Sequence, residues 1–185
     1  MNVILASQSP RRKELLRLLL DDFEIIPADI DETISVHDEP EEYVLRMAQE
    51  KAAFITQQYP EALVIASDTI VVSEGEILGK PTSREDARRM LMQMSGKTHI
   101  VYTSVVLLSN KKRFEQITSA KVSFFDLSED EISGYLDKQE YMDKAGAYGI
   151  QGAAAIFVRE IQGDYYAIVG FPVGLVHQLL KEFSA

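Results

Sequence analysis

The chain has 185 residues, with 29 Asp and Glu against 19 Lys and Arg, a formal net charge of −10. Nucleic acids are held largely by clustered cations, so this balance argues against a nucleic-acid partner, whereas a few cations focused locally still suit a small phosphate ligand. The sequence contains no cysteine, which removes disulfides, thiolate zinc and a cysteine nucleophile, and no apolar run approaches a signal-peptide core or the ~18 residues of a membrane span. A cytoplasmic protein without a membrane partner is the expectation. At 46% hydrophobic and 26% charged residues, the composition is that of an ordinary globule, one domain or two small lobes.

Residues 2–6 read as a short buried strand. A helix over 10–20 follows, with Ser9 as N-cap, Pro10 at the first helical position, and Leu15, Leu16 and Leu19 on one face. Residues 23–26 make a second strand candidate, and the acidic stretch Asp29-Ile30-Asp31-Glu32 opens a loop ending at Pro40. From 40 to 58, Val44, Met47, Ala48, Lys51, Ala52 and Ile55 recur at helical spacing. Residues 62–72 are the strongest buried-strand signal and run into a hairpin turn at Glu74-Gly75. Ser83 with Asp86 resembles a capping box for a helix to about Met94, stopped by Gly96. Residues 98–108 and 114–125 read as long strands around Asn110-Lys111-Lys112, and Ser128 with Glu131 caps another helix. A glycine-rich stretch at 144–152 precedes strand candidates at 154–160 and 165–169, and a last helix runs from Pro172 to about Phe183. Strands alternating with helices, plus hairpins, predict an α/β fold with a mixed sheet.

Several residues conflict with their local setting. Arg11, Arg12 and Lys13 fall in the first turn of a helix, where positive charge is unfavourable by roughly 0.3–1 kcal/mol each. They either answer the acidity of the chain as surface groups or converge, with the exposed N–H groups of the helix start, on an anion. Asp68 interrupts an apolar strand and needs a partner, backbone donors or a metal. Lys51 interrupts the apolar face of a helix; its ammonium either snorkels to water or points at an anion. Glu32 belongs to an acidic loop that solvation alone would explain, and Lys80 to an ordinary turn. His37, His99 and His177 have no spacing that suggests a metal site; each reads as a satisfied or exposed histidine.

The combination is more specific than its parts. Ser7-x-Ser9-Pro10-Arg11-Arg12, Glu50-Lys51-Ala52, Ser67-Asp68-Thr69, Gly79-Lys80-Pro81 and the run from Asp143 to Gly152, in that order, resemble the Maf family of nucleoside triphosphate pyrophosphatases, historically linked to inhibition of septum formation. The resemblance covers essentially the whole chain, 1–185, as a single domain. It implies an inosine-triphosphate-pyrophosphatase-like fold with a mixed central sheet, flanking helices and two lobes around a cleft. It further implies Asp68 as catalytic base or metal ligand with Glu32 as second carboxylate. Ser7, Arg12, Lys51 and Lys80 would line the phosphate region, with Mg²⁺ or Mn²⁺ as cofactor, a nucleoside triphosphate as substrate partner and a homodimer as the assembly.

Within the family, Arg-Arg after Ser-Pro, Asp-Thr on the strand and Ile-Gln-Gly in the glycine-rich loop mark the branch preferring dTTP and UTP, against 7-methyl-GTP in the other. This chain has Pro10-Arg11-Arg12, Asp68-Thr69 and Ile150-Gln151-Gly152. The resemblance therefore implies a house-cleaning enzyme that converts dTTP and UTP, or modified pyrimidine nucleotides, to the monophosphate and pyrophosphate, with Arg11, Thr69 and Gln151 setting base choice. A nucleotide sensor in cell-division control is the rival from another class. The acidic pair weighs against it, because a pure anion sensor has no need for carboxylates beside its ligand unless a metal intervenes.

Overall fold

A computed structural model describes residues 2–184. The strands are β1 (Val3–Leu5), β2 (Glu24–Ile25), β3 (Leu63–Ser73), β4 (Glu76–Leu78), β5 (Thr98–Leu108), β6 (Arg113–Phe124) and β7 (Val158–Gln162). They hydrogen-bond in the order β2-β1-β3-β5-β6-β7, with β4 beside β3. β1 is parallel to both β2 and β3, while β4 on β3 and β7 on β6 are antiparallel, so the sheet is mixed as expected. The helices are α1 (Pro10–Leu16), α2 (Pro40–Gln58), α3 (Arg84–Met94), α4 (Glu129–Leu136), α5 (Tyr165–Val169) and α6 (Val173–Ser184). Among the described residues, no helix is long and apolar enough to cross a membrane.

The chain divides into two compact units. The first takes Met1–Asp68, Thr103–Thr118 and Gly170–Ala185. Its core lays Ala48, Ala52 and Ile55 of α2 against Ile4 of β1, Val64 and Ala66 of β3 and Val106 of β5. The small residues on α2 bring its backbone close to the strands, and burying a side chain such as Ile55 contributes about 1.5–3 kcal/mol. β3 is covered on both faces and therefore reads as a continuous apolar run. Its burial is interrupted only at Asp68 and Thr69.

The second unit takes Thr69–Tyr102 and Ser119–Val169. Its core gathers Met90, Leu91 and Met94 of α3, Phe124 of β6, Ile132, Tyr135 and Leu136 of α4, and Tyr148 and Phe157. The β3–β4 hairpin turns through Glu74 (φ 52°) and Gly75 (φ 81°), two consecutive left-handed residues as a tight hairpin requires.

Local chemistry explains where the elements differ from expectation. α1 ends at Leu16, because Leu18 N and Leu19 N bond to carbonyls three residues back and tighten the last turn. Ser83 caps Asp86 N, yet the Asp86 carboxylate accepts from Thr82 N at 3.0 Å instead of closing the capping box. The box at Ser128 and Glu131 is complete. Residues 153–157 form a 3-10 turn where a strand was expected, and 165–169 form α5. In the latter case Asp164 accepts from Tyr166 N at 2.8 Å, and this cap outweighs the β preference of Tyr165, Tyr166, Ile168 and Val169.

Candidate functional site

Lys51 is the hub of a charged cluster in the first unit. It lies on the buried face of α2 and is only 9% exposed. A buried ammonium is costly unless it is paired. Its Nζ lies 2.8 Å from Oδ1 of Asp68 and is ion-paired with Glu32. Asp68 stands at the break in the burial of β3, with its side chain 13% exposed, whereas Glu32 is 39% exposed. One cation thus gathers carboxylates from a strand and a loop. Both lie within its reach, so they are neighbours of each other.

The loop is fixed from α2. The Tyr43 hydroxyl donates to the backbone carbonyl of Glu32 at 2.7 Å. Burial, and then the negative charges of Asp68, Glu32 and Asp38, push the Tyr43 phenol up and keep it a donor. Asp31 is occupied differently: its carboxylate accepts from Thr33 Oγ1 at 2.6 Å and Thr33 N at 2.9 Å. These bonds, the side-chain one first, hold it below the usual carboxylate value. Within the acidic stretch, Glu32 is the residue that turns to Lys51.

Arg12 is seated from several sides. Ser9 caps α1 by accepting from Arg12 N at 3.4 Å. Nε of Arg12 donates to the Gly170 carbonyl at 2.9 Å and Nη1 to Ser7 Oγ at 3.5 Å. Ser7 Oγ also accepts from Ser9 N at 3.1 Å, and Ser67 Oγ donates to the same Gly170 carbonyl at 3.3 Å. Burial lowers the Arg12 pKa most, the charge of Asp68 opposes this, Arg11 lowers it further and Glu32 raises it. Arg12 is therefore a guanidinium held within the field of both carboxylates. The conflict of cations at the start of α1 is resolved for Arg12, which turns to Gly170 and Ser7.

Ser7, Arg12, Glu32, Lys51 and Asp68, all named from the sequence, come together in this unit, and Arg11 is half-buried beside Arg12. Thr69, Lys80 and Gln151 belong to the second unit, half-buried, exposed and exposed respectively. There Gly146 N donates to the Gly79 carbonyl at 3.1 Å, tying the glycine-rich loop to the residue before Lys80. Sequence reasoning gave no role to Tyr43, Ser67 or Gly170. A tyrosine on the apolar face of α2 was a visible signal for the first, and Ser67 stood in the Ser67-Asp68-Thr69 motif; the two hydrogen bonds to Gly170 left no trace.

Among the described residues, no group of three or more His, Asp or Glu is arranged to hold a metal by itself. The donors of Glu32 and Asp68 are hard carboxylate oxygens already converging on a cation. That chemistry suits Mg²⁺ or Mn²⁺ with further ligands supplied by phosphate and water.

The family described as Maf-like protein matches residues 2–183. A dTTP/UTP pyrophosphatase of Bacillus cereus (strain G9842) is 45% identical over 182 residues, 98% of this chain and 95% of that protein. One from Bacillus cytotoxicus is also 45% identical, and one from Bacillus anthracis 44%, over the same shares. Among solved structures, the Staphylococcus aureus Ham1 protein superposes with a TM-score of 0.59 at 14% identity, covering 98% of this chain and 99% of that one, a likeness of fold alone. On the full-length match and these relatives, the chain belongs to the Maf family.

Proposed function

We propose that this protein hydrolyses dTTP and UTP to the nucleoside monophosphate and pyrophosphate, clearing normal or modified pyrimidine nucleotides from the cytoplasmic pool. The observation that carries the chemistry is the buried Lys51 ammonium holding Asp68 and Glu32 beside the Arg12 guanidinium. The relatives named dTTP/UTP pyrophosphatase support the substrate. A sensor of anions has no use for a carboxylate pair unless a metal intervenes, whereas hydrolysis needs a proton acceptor close to cations that bind phosphate in either case.

Water adds across the α–β anhydride: its oxygen bonds to phosphorus, the anhydride P–O bond breaks, and Asp68 accepts the proton. Glu32 is the second carboxylate. Together they would hold Mg²⁺ or Mn²⁺, which when bound supplies charge neutralisation at the phosphates. Arg12 and Ser7 hold phosphate oxygens, the guanidinium through the N–H groups not used on Gly170. Lys51 arrives pre-placed, since phosphate oxygens compete for the ammonium N–H groups now donated to Asp68 and Glu32. As it turns to them, the carboxylates lose their internal partner and become available. Lys80 binds the leaving pyrophosphate, and Arg11, Thr69 and Gln151 set base choice, Gln151 because a neutral amide both donates and accepts, as the imide edge of thymine or uracil demands.

Pyrophosphate release from a panel of nucleoside triphosphates with Mg²⁺ or Mn²⁺ tests the reading. dTTP and UTP should be preferred, and Asp68→Asn should cost ~10²–10⁴-fold in turnover. Silence with every triphosphate would remove the activity, and more than about a tenth of wild-type rate in Asp68→Asn would remove Asp68 from the reaction.

A further inference from the structure

His99 is a buried titratable group that the reaction leaves unused. It sits on β5, 1% exposed, inside the second unit. Its Nε2 is 2.6 Å from the hydroxyl of Tyr148, which is 6% exposed, while its Nδ1 has no partner among the described residues. Phe124 meets both rings edge-on, His99 at 4.8 Å and Tyr148 at 4.9 Å between centroids. An apolar residue would fill this place without leaving a buried polar atom unsatisfied. The imidazole is explained by the bond it makes.

That bond has a direction. If Nε2–H donated to the phenol, both the phenol proton and Nδ1 would be orphaned. If Tyr148 donates to Nε2, only Nδ1–H is left over. The second arrangement is the cheaper one and fixes His99 as the neutral Nδ1–H tautomer.

The segment on the other end of the bond is held in an unfavourable backbone conformation. Gly146 (φ 68°) and Ala147 (φ 65°) are consecutive left-handed residues, and an alanine rarely adopts that region. A Cβ on Gly146 would meet Val71 Cγ1 and Cγ2 at 3.0 Å, so the loop lies against β3 with no slack. Tyr135 OH donates to the Ala147 carbonyl at 2.9 Å, and the next residue is Tyr148. The strained step is thus clamped at adjacent positions by two aromatic hydroxyls. Beyond it, the Gly146 N–H bond to Gly79 O carries the clamp to the backbone of Lys80, and the same loop continues to Gln151.

We infer that His99 is a positioning residue for nucleotide recognition: by accepting a hydrogen bond from the Tyr148 hydroxyl it latches the loop 144–152, and so sets the placement of Gln151 and of the Gly79-Lys80 backbone. The role of the latch rests on the reading that Lys80 and Gln151 serve the nucleotide. The latch itself is a property of the second unit.

The test measures amide hydrogen exchange across 144–152 together with dTTP and UTP kinetics in wild type, Tyr148→Phe, His99→Leu and His99→Gln. Tyr148→Phe is nearly isosteric and keeps the test decisive if His99→Leu fails to fold. Loss of one buried hydrogen bond should speed loop exchange about three- to tenfold in Tyr148→Phe. KM for dTTP should rise by a similar factor, with kcat within about twofold of wild type. A glutamine presents an amide oxygen to the phenol where a leucine has none, so His99→Gln should move both readouts back toward wild type. Side-chain nitrogen NMR should find the Nδ1–H tautomer in wild type. An inactive wild type overturns the pyrophosphatase reading. An active wild type whose Tyr148→Phe variant keeps wild-type exchange, or keeps wild-type KM despite faster exchange, overturns the latch alone. So does His99→Gln behaving as His99→Leu.

Discussion

Replacing Lys51 by methionine keeps most of the side-chain volume on α2 and deletes the charge that gathers Asp68 and Glu32. At 2.8 Å and an effective dielectric of ~20, the attraction to Asp68 is about 6 kcal/mol before desolvation is counted. Desolvation of the ammonium offsets part of this, and breaking one partner out of a buried pair typically costs ~3–5 kcal/mol. The Glu32 pair adds little, because that carboxylate is 39% exposed and exposed pairs are worth about 1 kcal/mol or less. Since Asp68 keeps 13% side-chain exposure, Lys51→Met should lose about 3 kcal/mol of unfolding free energy, at the lower end of that range. Urea unfolding of wild type, Lys51→Met, Asp68→Asn and the double variant measures this. The double variant should be less destabilised than the sum by at least ~1 kcal/mol, the signature of groups in contact. Adding millimolar Mg²⁺ or Mn²⁺ should raise the melting midpoint of Lys51→Met more than that of wild type, because the ion meets the carboxylates without a competing ammonium. A Lys51→Met protein within ~0.5 kcal/mol of wild type, or strict additivity, would refute the account of the cluster.

Arg12→Ala should raise KM for dTTP by roughly 10- to 100-fold, the scale of one or two charged hydrogen bonds, and Arg12→Lys should not restore it, since an ammonium lacks the planar fork that bonds Gly170 and Ser7 at once. Initial rates over a dTTP series separate the two outcomes; full rescue by lysine would mean that only charge matters. Gln151→Glu should lower kcat/KM for dTTP relative to purine triphosphates, measured by direct competition, and an unchanged preference removes Gln151 from base selection. Burial lowers the His99 pKa from 6.5 to about 4, so between these values the unfolded chain binds the proton that the native chain refuses. The stabilisation is complete above pH 6.5 and is lost as pH falls toward 4, by about 3 kcal/mol in total. Urea midpoints against pH should show a shallower loss for His99→Gln in that window, and an identical loss would refute it.

The elements that could be read from sequence carry their own local instructions. Ser9 with Pro10, Ser128 with Glu131 and Glu74-Gly75 each determine a boundary through atoms a few residues apart. Within the expected strand at 154–160 only the second half forms one, as the start of β7, and residues 165–169 mislead because their apolar and aromatic side chains suit a strand while a short polar device, Asp164, selects a helix. The site divides the same way. Asp68, Lys51 and Arg12 stand out as charges in unsuitable places, which is a local anomaly. That Lys51 takes both Asp68 and Glu32, and that Arg12 rests on Gly170, are facts of tertiary neighbours with no periodic trace. For His99 the sequence left a satisfied or an exposed histidine open; its burial, the open Nδ1 and the bond to Tyr148 were not legible.

The carbonyl of Gly170 receives both Arg12 and Ser67, and it belongs to the last of the three chain segments that compose the first unit. During synthesis, α1, α2 and β3 leave the ribosome long before this acceptor exists. The arginine at the start of α1 therefore lacks one of its anchors until a backbone oxygen 158 residues downstream has been made. In a nascent chain ending before that point neither Arg12 nor Ser67 has this acceptor, so a contact of an arginine made near the start of synthesis is completed only near its end. Proteolytic clipping ahead of Gly170 would take this one acceptor away from Arg12 and Ser67 together.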